Sequence, residues 1–165
     1  MTLFRPLGAL LLLVASACAT TASDPPPPSW YVMRHLQKAE GPDPALSAVG
    51  ARNAQRLTSW FAHDRPTAIY VSTTRRARET AAPLAARLGL TPKEYDPRDT
   101  PGLVARTRAE TGSVLIVGHS NTVPEIVVQL GGARPADLAE SDFGDIFRVR
   151  RDGTVERLRL EGPGR

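Results

Sequence analysis

Four consecutive branched apolar residues, Val114-Leu115-Ile116-Val117, run directly into Gly118. A run of this kind, with no polar alternation, suits a central strand covered on both faces, and such strands belong to parallel sheets with helices packed on each side. The flanking segments fit that frame. Trp30 to Met33 reads as a first strand, and Pro42 and Pro44 mark a loop after it. Val49, Ala54, Leu57 and Phe61 recur at helical spacing in a stretch from about Val49 to His63, with Ser47 as its N-cap. Thr67 to Val71 reads as a second strand, followed by a helix from Arg76 to Leu88 that stops at Gly89. Pro83 lies inside that helix and is expected to bend it or to mark its true start. Glu94-Tyr95 reads as a short third strand and Leu103 to Ala109 as a short helix. Thr122 or Pro124 opens a further helix to Leu130, and the alternating segments Ile146 to Val149 and Val155 to Leu160 flank the turn signal Asp152-Gly153. Strands alternate with helices, so the expected fold is a three-layer α/β sandwich with a mostly parallel central sheet flanked by helices.

The chain has 165 residues, a length that suits one folded domain. Hydrophobic residues make up 41% and charged residues 23%, as in ordinary globular proteins. Aromatic residues are only 5%, too few for a base-stacking nucleic-acid surface. The net charge is +4, and Lys38 and Lys93 are the only lysines, so nearly all positive charge is arginine. Codon bias of a GC-rich genome accounts for that excess as a whole; the arginines with a role are those singled out by position. They form no contiguous basic block, which argues against a nucleic-acid partner.

The N-terminal stretch is expected to lie outside the fold. Arg5, an apolar run from Leu7 to Val14, and the small residues Ala15-Ser16-Ala17 make a secretory signal over residues 1–17, too short to span a membrane. Cys18, the only cysteine, follows directly. The pattern resembles a bacterial lipoprotein signal, in which Cys18 would carry the lipid; Ala15 stands where leucine is more usual, and plain cleavage is the alternative. A lone cysteine forms no internal disulfide. Residues 18–29 hold Pro25 to Pro28 and read as an extended tether, which leaves residues 30–165 as the domain. The expected location is the periplasmic face of a bacterial membrane, or a secreted or periplasmic form.

Ligands in open α/β sheets bind beyond the carboxyl ends of the strands. Three of those ends carry Arg34-His35, Ser72-Thr73-Thr74-Arg75-Arg76 and Gly118-His119-Ser120. Each residue alone has a structural explanation. Yet the chain has three histidines, and two of them follow apolar strands directly. Guanidinium forks grip phosphoryl oxygens, a neutral imidazole is a nucleophile, and a second imidazole can hydrogen-bond the group in transfer. Such a constellation needs no metal and no cofactor.

These motifs resemble those of the histidine phosphatase superfamily, also called the phosphoglycerate mutase-like family. Val32-Met33-Arg34-His35 is similar to its Arg-His-Gly signature. Leu46-Ser47-Ala48-Val49-Gly50 is similar to its Leu-Thr-x-x-Gly helix start. Val71 to Ala81 and Val117 to Asn121 resemble its second-arginine and second-histidine motifs, in family order between Trp30 and Leu160. The resemblance implies a phosphoglycerate mutase-like fold and a metal-independent phosphatase. His35 would be the nucleophile, Arg34 and Arg76 would bind the phosphate, and His119 would complete the pocket. Family spacing favours Arg76 over its neighbour Arg75.

Two departures stand out. Leu36 replaces the signature glycine, narrowing a turn that relatives keep open, and Gln37 replaces a frequent acidic residue. The general acid has no obvious holder. Asp96 and Asp99 lie in the expected region, although Asp-Pro-Arg-Asp is equally a turn sequence, and Asp142 and Asp145 are weaker candidates. The expected activity is hydrolysis of phosphate monoesters on a small molecule or phosphoprotein. A mutase is disfavoured by the short domain. The alternative is a non-catalytic phosphate-binding or scaffold lipoprotein module.

Overall fold

The computed structural model describes residues 27–160. The expected signal at 1–17, with Cys18, and most of the tether lie outside these residues. Of the proline run, Pro27 and Pro28 are described and exposed. No described helix is long and apolar enough to cross a membrane.

The chain enters directly into β1 (Ser29–Arg34), followed by α1 (Ala48–Trp60), β2 (Ala68–Ser72), α2 (Arg75–Leu88), β3 (Lys93–Tyr95), α3 (Thr100–Arg108), β4 (Val114–Gly118), α4 (Val123–Gln129), β5 (Asp145–Arg150) and β6 (Val155–Arg159). The sheet order is β3-β2-β4-β1-β5-β6. The pairs β2–β3, β2–β4 and β1–β4 are parallel, and the β5–β6 hairpin adds an antiparallel margin beside β1.

Side-chain alternation along the strands divides the core into two halves. Tyr31, Met33, Ile69, Val71, Leu115 and Val117 point to the face covered by α1 and α2, where they meet Leu57, Phe61, Ala81 and Leu84. Trp30, Val32, Tyr70, Val114 and Ile116 point to the face of α3 and α4, against Leu103, Val123, Ile126 and Val127. Both faces being buried, β4 carries apolar residues throughout, which is what its sequence showed. The architecture is the three-layer sandwich.

Three local details differ from expectation. Pro83 does not mark the start of α2, which begins at Arg75 and runs on through it. The helix is anchored on its buried face by Ala77, Thr80, Ala81, Leu84 and Ala85, and that packing outweighs the loss of one backbone donor. Next, α3 begins at Thr100, earlier than its apolar residues indicate, because Asp99 caps it and Pro101 suits the first turn. Finally, β1 takes in Ser29, which is buried, so the fold begins one residue before Trp30.

Strand order positions the site. After β1 the chain crosses to the α1 face, and after the neighbouring β4 it leaves for the α4 face. Adjacent strands whose exits diverge leave a crevice between their carboxyl ends. The residues at its two lips are His35 and His119.

Candidate active site

His35 follows β1 and is 2% exposed. Its backbone N–H donates to the carbonyl of Gly118 at 2.9 Å, tying the two lips of the crevice together. Its Nδ1 lies 2.8 Å from the Leu36 carbonyl. A carbonyl only accepts, so Nδ1 carries the proton and Nε2 keeps its lone pair. Burial, and then the nearby charges of Arg76 and Arg34 along with His119, push the His35 imidazole from 6.5 down to about 4, against the opposing hydrogen bond to Leu36. The ring is therefore neutral at neutral pH.

His119 sits at the turn between β4 and α4. Its N–H donates to Thr122 Oγ1 at 3.0 Å, and its carbonyl accepts from Val123. Gly118 just before it has no room for a side chain, since a Cβ there would come within 2.9 Å of Thr122 Oγ1 and 3.0 Å of the Tyr95 hydroxyl. The His35 and His119 rings are 5.4 Å apart at 65°. Burial, with Arg76 and Arg34, also pushes His119 down to about 4.

The structure brings Arg34 and Arg76 to the same place. Arg34 ends β1, and its side chain is 3% exposed. Its Nη1 donates to the carbonyls of Ala139 and Asp142, its Nη2 pairs with Glu140 at 2.9 Å, and its guanidinium lies 4.3 Å from the Phe143 ring centroid. Arg76, in the first turn of α2, places Nη2 3.4 Å from His119 Nδ1 and Nη1 3.6 Å from Asp43. Among the described residues, the buried Nε of each arginine has no hydrogen-bond partner. Two guanidinium groups beside two neutral imidazoles suit an acceptor-only anion. Arg75 takes no part: it is exposed and pairs with Glu79 at 2.7 Å.

Leu36 does not obstruct this arrangement. It is fully buried in the core under α1 and α2, and no non-glycine residue among those described has a positive φ. Its N–H donates to Thr80 Oγ1 at 3.0 Å, which fastens the loop after His35 to the helix that bears Arg76. The side chain thus turns inward, and the turn is not narrowed by it.

The aspartates divide by partner. Asp96 binds Arg98 through backbone and guanidinium, and Asp99 Oδ1 accepts from Gly102 N–H as the α3 cap. Asp145 is buried and held between Arg157 and Arg159. Asp142 Oδ2 accepts from the Ala139 N–H within the loop over Arg34. The carboxylates that touch the site arginines are instead Glu140 and Asp43. Sequence reasoning passed over both, since each sits in an irregular loop with no motif around it. Among the described residues no group of three His, Cys, Asp or Glu side chains is arranged to hold a metal ion.

The family model for the histidine phosphatase superfamily, branch 1, matches residues 30–98. That span includes Arg34, His35 and Arg76. No curated protein matches in sequence. Solved structures share the fold. One, of the protein histidine phosphatase SixA with tungstate, is 19% identical with a TM-score of 0.59, covering 79% of this chain and 94% of that one. Another, a mycobacterial glucosyl-3-phosphoglycerate phosphatase, is 17% identical with a TM-score of 0.60, covering 73% and 89%. The family match supports the superfamily over residues 30–98, and the solved structures show the shared fold. His119 lies beyond the matched span, and its place in the pocket comes from the geometry above.

Proposed function

We propose that this protein is a phosphatase that hydrolyses phosphate monoesters through a phosphohistidine on His35. The observation that carries the reading is the Nδ1 bond to Leu36, which leaves a neutral imidazole with its Nε2 lone pair in a pocket with Arg34, Arg76 and His119. Nε2 attacks phosphorus, the ester P–O bond breaks, and the leaving oxygen takes up a proton. Water then attacks the phosphorus, the P–N bond breaks, and inorganic phosphate departs. The arginine forks hold the equatorial oxygens through both steps, and His119 stabilises the charge that builds on them.

The carboxylates bear on the substrate. Asp96 and Asp99 are occupied in a turn and a cap, and Arg34 holds Glu140 below the usual carboxylate range, so it is ionised rather than ready to donate a proton. This favours leaving groups that need little acid assistance. A phosphoramidate on a phosphoprotein, the substrate type suggested by the SixA relative's description, fits alongside aryl and activated monoesters. An exported or lipid-anchored setting is supported by the N-terminal pattern ending at Cys18 alone.

The test is turnover of an aryl phosphate by wild type and His35→Ala, with acid quenching to trap the phosphoenzyme. Wild type turns over and yields an acid-labile phosphoenzyme; His35→Ala gives neither and stays folded. A wild-type protein that binds phosphate without turnover would point to the non-catalytic scaffold instead.

A further inference from the structure

Ser72 ends β2, and Thr74 stands at the N-cap of α2. Neither has a part in the chemistry above. Threonine at an N-cap ordinarily accepts from the first turn, but Thr74 makes no such bond. Its Oγ1 lies 3.1 Å from Ser72 Oγ. Ser72, fully buried, places that same Oγ 2.8 Å from His119 Nε2. On the opposite side of the ring, Arg76 Nη2 reaches Nδ1 at 3.4 Å. A guanidinium donates and never accepts, so Nδ1 is bare and the single ring proton is on Nε2. The Nε2–H then donates to Ser72 Oγ, and Ser72 and Thr74 share a hydrogen bond that either hydroxyl can donate.

This polarity is the reverse of what a phosphoryl group requires. Ionised phosphoryl oxygens only accept, so a neutral His119 can bond them only with its proton on Nδ1. We propose that Ser72, backed by Thr74, is a positioning residue that lets His119 exchange one tautomer for the other when phosphate enters. The inference rests on the reading of this pocket as a phosphoryl-transfer site. A proton from water adds at Nδ1. Nε2 passes its proton to Ser72 Oγ, Ser72 passes its own to Thr74, and Thr74 returns one to water. The ring is neutral before and after, and only N–H and O–H bonds change. The new Ser72 O–H points back at Nε2 and holds the donor tautomer in place. A hydroxyl serves here because it both donates and accepts.

The test is NMR of the purified protein with nitrogen-15-labelled histidine, free and with inorganic phosphate, alongside kcat and KM for an aryl phosphate. In free wild type the His119 proton is on Nε2; with phosphate bound it is on Nδ1. Ser72→Ala shows an incomplete exchange and loses about tenfold in kcat with a much smaller change in KM, the scale of one lost hydrogen bond in a buried site. Ser72→Thr, which keeps the hydroxyl, restores the exchange, and Thr74→Val gives an intermediate loss. A free wild-type ring protonated on Nδ1, or a Ser72→Ala protein that exchanges fully with kcat within twofold of wild type, overturns the proposal. If Ser72→Ala does not fold, the wild-type tautomers and Thr74→Val decide it. The NMR readout needs no turnover: a protein that binds phosphate and exchanges tautomer without hydrolysis retains this inference and loses the phosphatase reading.

Discussion

His35 donates its Nδ1 proton to the carbonyl of the residue that follows it, Leu36, across 2.8 Å. The bond leaves Nε2 as the nitrogen with a free lone pair, the one that attacks in the proposed mechanism. With the imidazole pushed down to about 4, His35 stays unprotonated well below its ordinary 6.5. Corrected for ionisation of the substrate, kcat/KM for an aryl phosphate is therefore expected to hold through pH 6 and to fall with an acid limb near 4. A pH–rate profile checks this, and an imidazole limb at 6.5 would contradict it. Arg34→Gln removes one of the positive charges that oppose protonation and should move the limb upward.

Gly50 predicts a stability effect with a functional echo. A Cβ at this position would come within 2.0 Å of the Gln37 carbonyl oxygen, and Gln37 is two residues beyond His35. Gly50→Ala must push α1 away from the loop after His35, at a cost of about 1–3 kcal/mol. Thermal unfolding should show the loss, and kcat should drop with it as His35 is displaced.

Asp99→Ala separates a cap from a catalytic acid. Asp99 Oδ1 accepts from the Gly102 N–H at 2.9 Å. Its removal should cost about 1 kcal/mol of stability in a denaturant melt. Turnover of an alkyl phosphate, whose leaving group is most dependent on an acid, should stay within twofold.

Glu140 occupies Arg34 Nη2, where a phosphate bound as proposed would compete with it. Its side chain is 80% exposed, so the pair is screened and weak. Glu140→Gln should strengthen inhibition by inorganic phosphate by about two- to fivefold. A collapse of kcat on alkyl phosphates in this variant would instead make Glu140 the proton donor.

Much of the scaffold was legible because local signals agreed with one another. The unbroken apolar run of β4 announced a strand buried on both faces, and the strand-end rule led from it to His35, Arg76 and His119. The helix start at Leu46 to Gly50 was readable as a motif, and the near-contact of Gly50 with Gln37 supplies its physical reason. Other features depend on tertiary partners that no local pattern encodes. Leu36 reads as an intrusion into a turn until the pocket beneath α1 and α2 receives it. Pro83 offers itself as a helix start until α2 is seen to begin at Arg75 and pack through it. Glu140 lies 106 residues from Arg34 in the chain, and nothing in its loop announces the meeting.

The direction of β1 has a further consequence. The strand begins at Ser29 and delivers Arg34 and His35 at its other end, roughly 17 Å away at ordinary strand rise. Pro28 therefore enters β1 at the end of the strand opposite the crevice at His35. Under the tether proposed for the N-terminal segment, the crevice at His35 would face away from the attachment point.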